Sequence, residues 1–200
     1  MLTSQMDNAD ALEAALARIE RVTDSEWLSS LDGRKLKELE FHDRDRDRNL
    51  ISRLDQDTYE RFYGNKKYYQ ATALSKSYVD EWIRINSVGR VFLDYACGNG
   101  VNAIKAAQAG AALSIGIDIS QTSVENARRD ALAQGVSRTT RFVQADAENT
   151  LLPNDSIDLT ICSGMLHHLD LSFAFPELRR ILKPGGKILA VEALDYNPLI

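Results

Sequence analysis

The chain divides near residue 88 by the period of its apolar positions. Before that point the period is helical. Leu12, Leu16, Ile19 and Val22 recur at spacings of three and four, the mark of an amphipathic helix, with Asp7 or Asn8 placed to cap it. A short helix is expected around Trp27 and Leu31, broken by Gly33. Tyr78, Trp82 and Ile85 predict a last helix leading out of the region. From Arg90 onward, short apolar runs alternate with helical patterns. Strands are predicted at 91–95, 113–117, 141–144, 157–162 and 187–193, and helices at 102–109, 121–134 and 173–182. Ser120 is placed to cap the middle helix and Gly135 to close it. The strands are rich in Ile, Leu and Val, as parallel strands covered on both faces require. Right-handed crossovers between them give an α/β fold with a doubly wound, mostly parallel sheet. The expected organisation is a helical extension over 1–88 and an α/β core over 89–200.

Composition narrows the class. With 200 residues, 44% hydrophobic and 26% charged, the chain can bury one sizeable core. Its formal net charge of −5 gives no global attraction to nucleic acid or an anionic membrane. No apolar run approaches a membrane span, and the polar start lacks the order of a secretory signal. Two cysteines, Cys97 and Cys162, imply no disulfide framework; they read as packing residues and the expected home is cytoplasmic. The alternating run from Asp43 to Arg48 reads as a solvated, self-neutralising helix face.

The informative residues lie where the strands end. The first turn is Asp94-Tyr95-Ala96-Cys97-Gly98-Asn99-Gly100. A Gly-rich turn between strand and helix also fits the dinucleotide fingerprint, so a nicotinamide oxidoreductase must be weighed. Asp94 opposes that reading, because a dinucleotide lays an anionic pyrophosphate at this turn. A nucleoside ligand that is cationic and lacks phosphate suits it better. Asp118 ends the second strand, where a carboxylate can accept both ribose hydroxyls. Asp146 follows the third strand and can accept from an adenine amino group. Each also has a purely structural reading: Asp94 and Asp118 as caps, Asp146 as a loop acid. His167 and His168 follow the fourth strand. Either can pack at the start of the next helix, and His168 is the better placed to take a proton in the site.

With those residues in view, the stretch from Arg90 to Ala193 resembles the class I S-adenosylmethionine-dependent methyltransferases. Residues 91–100 look like the family's D-x-G-x-G-x-G motif. Ile115-Gly116-Ile117-Asp118-Ile119-Ser120 is similar to its second-strand motif, and Gln144-Ala145-Asp146-Ala147 resembles its adenine turn. Residues 158–168 and 178–186 look like the fourth-strand motif and the turn before strand five. Five motifs in order are specific where one is not. The resemblance implies S-adenosyl-L-methionine as cofactor and S-adenosyl-L-homocysteine as product. It places the methionine part on the backbone from Asp94 through Ala96, Gly98 and Gly100. It places ribose on Asp118 beside Ile119, adenine on Asp146 and Ala147, and the methyl end near Ser163. Ala96 departs from the pattern, standing where the family has glycine. A methyl group is tolerated there at negative φ, whereas positive φ strains the turn.

The acceptor lies outside those motifs. Ser163-Gly164-Met165-Leu166 replaces the N-P-P-Y of nucleic-acid amino methyltransferases, and the motif set looks most like enzymes of small molecules of quinone, lipid or secondary-metabolite type. A binding module without transferase activity is the alternative. Seven aromatic residues fall between Tyr59 and Trp82, so this segment is expected to lid the site, with Tyr68 and Tyr69 against cofactor or acceptor; simple packing onto the sheet is the rival reading. The family fold has seven strands, and about seven residues after strand five cannot supply two more. The sequence therefore reads as a fragment, or as a chain whose open edge pairs with another copy.

Overall fold

The computed structural model describes residues 2–62 and 73–192. Five strands form one sheet: β1 (Val91–Tyr95), β2 (Leu113–Asp118), β3 (Thr140–Gln144), β4 (Ile157–Ser163) and β5 (Leu182–Val191). All neighbours are parallel, in the order β3-β2-β1-β4-β5. The winding reverses between β1 and β4, which opens a crevice at the carboxyl ends of the strands. The expected doubly wound architecture is present, and every predicted strand is found within a few residues, except that β5 starts five residues early. Its first residue pairs with Ile157, and regular pairing resumes at Lys187 opposite Leu159, so Lys183-Pro184-Gly185-Gly186 forms an irregular bulge.

The helices of this half are α7 (Val101–Gln108), α8 (Gln121–Ala133) and α9 (Leu171–Ile181). Ser120 caps α8 by accepting from the Ser123 amide. The polypeptide that precedes the sheet forms α1 (Leu2–Ile19), α2 (Asp24–Ser30), α3 (Gly33–Asp45), α4 (Arg48–Ile51), α5 (Gln56–Phe62) and α6 (Ala73–Asn86). Leu12, Leu16 and Ile19 of α1 are buried in the same core as Leu93, Tyr95, Ile115 and Val143. Each such side chain contributes roughly 1.5–3 kcal/mol of hydrophobic stabilisation. A separate cluster joins Val79 and Ile83 of α6 to Phe92 and Ile161 on the other face.

Four expectations are corrected here. The first helix begins at Leu2, so Asp7 and Asn8 lie within it rather than at its cap. Val22 is exposed, because α1 ends at Ile19 and Thr23 opens α2 with a reciprocal Thr23–Glu26 capping box. Gly33 opens α3 behind the cap Asp32, whose carboxylate accepts from the Arg34 and Lys35 amides. In α6, Tyr78 and Ile85 are exposed while Val79 and Ile83 are buried and Trp82 packs against them. None of the described helices is long and apolar enough to cross a membrane.

Gly100 shows how tightly the sheet and its helices meet. Its φ is +73°, and a methyl group there would stand 2.4 Å from the Phe142 ring and 2.8 Å from Ala127 Cβ. Gly100→Ala is expected to cost roughly 3 kcal/mol, from left-handed strain plus overpacking. Thermal unfolding should show this as a fall in Tm of about 10 °C.

Candidate active site

Strand ends bring three carboxylates into one crevice. Asp94 is buried beneath the turn that follows β1, and its Oδ2 accepts from the Ala103 amide at 3.2 Å. It thus caps α7. Burial pushes its carboxyl up to about 7, against the amides of Ala103 and Asn102. Asp118 accepts from the Gly98 amide at 2.8 Å and from the Ser120 amide at 2.9 Å, so it ties the ends of β1 and β2 together. Burial raises its pKa, opposed by those amides. Asp146 accepts from the Glu148 amide at 2.8 Å. Beneath that turn, the buried Tyr95 hydroxyl donates to the Ala147 carbonyl and anchors it to β1.

Helix α3 lies across these ends. Lys35 Nζ sits 2.7 Å from Asp146 and 3.0 Å from Glu148, and Arg34 meets Glu148 at 2.5 Å. Burial would raise the Glu148 carboxyl, but the Asp170 amide, Lys35 and Arg34 outweigh it and hold it low. At the other end of α3, Asp43 accepts from Ser120 Oγ at 2.5 Å and from the Thr122 amide at 3.2 Å. Asn126 donates to the Arg46 carbonyl at 2.9 Å and to Asn99 Oδ1 at 3.1 Å, joining this segment to the first turn. Arg48 forms a two-pronged pair with Asp130. The run from Asp43 to Arg48 therefore docks through Asp43, the Arg46 backbone and Arg48, while Arg44 and Arg48 stay exposed and Asp45 pairs with Arg46, so the solvated, self-neutralising reading holds only in part.

The crevice and α3 together enclose a cavity of about 380 Å³. Asp94, Ala96, Gly98, Asp118, Ile119, Asp146, Ala147, Ser163 and His168 all line it, as do Arg34, Lys35, Glu38, His42 and Arg46. Gly100 lies behind the turn, packed on Phe142. Tyr68 and Tyr69, expected in the lid, lie outside the described residues; among the described residues α3 covers the cavity. Ala96 takes φ +54°, the strained alternative, at a cost of about 1–2 kcal/mol. Cys97 and Cys162 are free thiols, and burial pushes Cys162 up to about 12.

Residues 93–190 match the model of a methyltransferase domain. This chain belongs to the class I S-adenosylmethionine-dependent methyltransferases. It is 31% identical over 134 residues to a ubiquinone biosynthesis O-methyltransferase of Pseudomonas fluorescens, covering 66% of this chain and 56% of that protein. It is 33% identical over 115 residues to the ribosomal protein L11 methyltransferase of Photobacterium profundum, covering 55% of this chain and 37% of that one. Among solved structures, the [4+2]-cyclase SpnF matches with a TM-score of 0.54 and 28% identity, covering 57% of this chain and 43% of that one. The chain thus spans only about half, or less, of the length of these relatives. The family match sets aside the nicotinamide oxidoreductase.

The residues missed by sequence reasoning are those of α3. Arg34, Lys35, Glu38, His42 and Arg46 recur at a helical period and so share one face, a polar stripe where a core-facing helix would carry an apolar one.

Asp94 generates a test. A carboxyl raised from 3.8 to about 7 in the folded state stabilises fully below pH 4, and that contribution is lost as pH rises to about 7. Asp94→Asn keeps the cap acceptor without the charge. Its stability relative to the native chain is expected to increase between pH 4 and pH 8 by on the order of 4 kcal/mol. Urea unfolding at the two pH values measures this.

Proposed function

We propose that this chain transfers the methyl group of S-adenosyl-L-methionine to a small-molecule acceptor held beneath α3. The observation that carries the reading is the single cavity that the adenosyl-type carboxylates line together with Ser163 and His168. A cavity of this size suits a ligand of adenosyl-donor size. The Pseudomonas relative, named for ubiquinone biosynthesis, supports the same acceptor class.

The lining fits a zwitterionic donor. Five carboxylates (Glu38, Asp94, Asp118, Asp146 and Glu148) face three permanent cations (Arg34, Lys35 and Arg46), so the site is net acidic yet holds cations at defined places. Arg46 is the telling one. A methyl group on Gly98 would stand 3.8 Å from its guanidinium carbon. Its buried Nε has no hydrogen-bond partner among the described residues, only an ion-pair contact with Asp45 at 3.5 Å. We assign it to the methionine carboxylate of the donor, with the Asp94 side of the turn facing the ammonium. Asp118 beside Ile119 takes the ribose hydroxyls, and Asp146 with the Ala147 backbone takes adenine.

When bound, S-adenosyl-L-methionine supplies an activated methyl group, which passes to the acceptor with the sulfur keeping the bonding electrons. The protein's part is alignment and removal of the acceptor proton. His168 is the group we place at the acceptor. Burial, then His167 and His42, hold its pKa low against the pull of Glu38, so its imidazole is neutral and able to accept a proton. His167 instead faces Glu192, 2.9 Å away, and is exposed.

A second reading, a donor-binding protein that does not transfer methyl, draws on the match to a cyclase. Incubation with methyl-labelled donor and a panel of phenols, quinols and other small hydroxyl compounds separates the two. Label on a compound carries the proposal, and donor binding with no label on any of them favours the second reading. Arg46 gives a sharper check by calorimetry. Arg46→Met is expected to weaken S-adenosyl-L-methionine about tenfold, as loss of one charge-assisted pair predicts. It should leave methylthioadenosine, which has no carboxylate, unchanged. Equal loss for both ligands would contradict the assignment.

A further inference from the structure

One cluster in the cavity has chemistry that adenosyl binding does not use. Glu38 and His42 lie one turn apart on the same face of α3. His168 arrives from the other side, on the short 3-10 turn at Leu166–His168 after β4. Its backbone is held there: Arg34 donates to the His168 carbonyl at 3.0 Å, and the His168 amide donates to the Met165 carbonyl at 3.0 Å. Glu38 Oε2 lies 3.0 Å from His168 Nδ1 and 3.6 Å from His42 Nε2. The two imidazoles meet edge to face, with centroids 5.1 Å apart.

One carboxylate oxygen therefore serves two imidazole nitrogens, and all three ligand atoms lie within 4.8 Å of one another. A tetrahedral zinc ion with bonds of about 2.0–2.1 Å sets its ligand atoms roughly 3.4 Å apart. The separations of 3.0 and 3.6 Å straddle that value, so the three side chains can close on an ion by small rotations. Two imidazoles and a carboxylate are also the donor set that favours zinc, and three protein ligands leave a position open for water or substrate. All three residues line the cavity, and all are half-buried, so an ion held by them would border it.

We propose that Glu38, His42 and His168 bind a divalent transition-metal ion, zinc by ligand preference, whose free position takes an oxygen donor of the acceptor. The inference rests on the cavity being the acceptor site, and it refines the role of His168. A metal on Nδ1 withdraws that nitrogen from proton transfer, and a hydroxyl held by the cation is acidified directly. The acceptor class narrows accordingly to compounds with a hydroxyl or carboxylate able to ligate the ion.

The test uses the full chain, stripped by chelator and titrated with Zn²⁺ by calorimetry, and with Co²⁺ by visible absorption, whose d–d bands report tetrahedral nitrogen and oxygen ligation. One equivalent of metal with tetrahedral cobalt bands is expected. His42→Ala and His168→Ala should each weaken Zn²⁺ by roughly a hundredfold or more, beyond the loss typical of outer residues. Glu38→Gln gives a third, shape-conserving variant, and circular dichroism checks each fold. No stoichiometric metal in the native chain, or binding unmoved in folded variants, would overturn the site. Donor titration of the native chain runs beside it. Donor bound without metal contradicts the metal site alone, whereas no donor bound contradicts the methyltransferase reading.

Discussion

Carboxylates gathered at the ends of neighbouring parallel strands repel one another, and the molecule depends on how that repulsion is balanced. Asp94, Asp118 and Asp146 converge because β1, β2 and β3 run parallel and adjacent. Backbone amides of the following turns neutralise part of the charge. Helix α3 supplies the remainder, with Lys35 set between Asp146 and Glu148. Separating these partly buried pairs would strand charges away from water, at a cost well above that of a surface ion pair. The helix is thereby held over the crevice, and the cavity exists because it is held there.

This balance defines the ligand more sharply than acidity alone. A uniformly negative crevice would attract any cation. Here the cations are placed: Arg34 and Lys35 beside Asp146 and Glu148, Arg46 at the glycine turn. On the proposed reading, these are the places that answer an ammonium, a sulfonium and a carboxylate. Asp94 is the hinge of that arrangement. It is ionised only partly near neutrality because burial raises it to about 7, and a nearby cationic group favours its charged form. The carboxyl that holds the first turn of α7 is thus, on the proposed reading, one that responds to the donor's charge.

The α/β half was legible because its signals are local. Apolar runs gave all five strands, Ser120 announced α8, and the acids at the strand ends announced the crevice. The extension was harder. Val22 matched the helical period, yet Thr23 and Glu26 form a capping box that starts a new helix, a signal present in the sequence and overridden by the apolar spacing. Helix α3 carries almost no apolar stripe; of its residues only Leu39 is buried. Its polar stripe has meaning only against groups far along the chain, from the Gly98 turn to Asp146, Glu148 and His168, which no local pattern reveals. The φ of Ala96 was equally out of reach, since alanine gives no sign of positive φ and only the backbone shows +54°.

The account turns on a nucleoside lying along the strand ends with its charges answered one by one. A crystal structure of the chain with S-adenosyl-L-homocysteine tests that directly. The ribose hydroxyls should lie within hydrogen-bond distance of Asp118, adenine against Asp146 and Ala147, and the amino-acid carboxylate at Arg46. A nucleoside seated elsewhere, or one lying in this cavity with its carboxylate turned away from Arg46 toward Asp94, would contradict it.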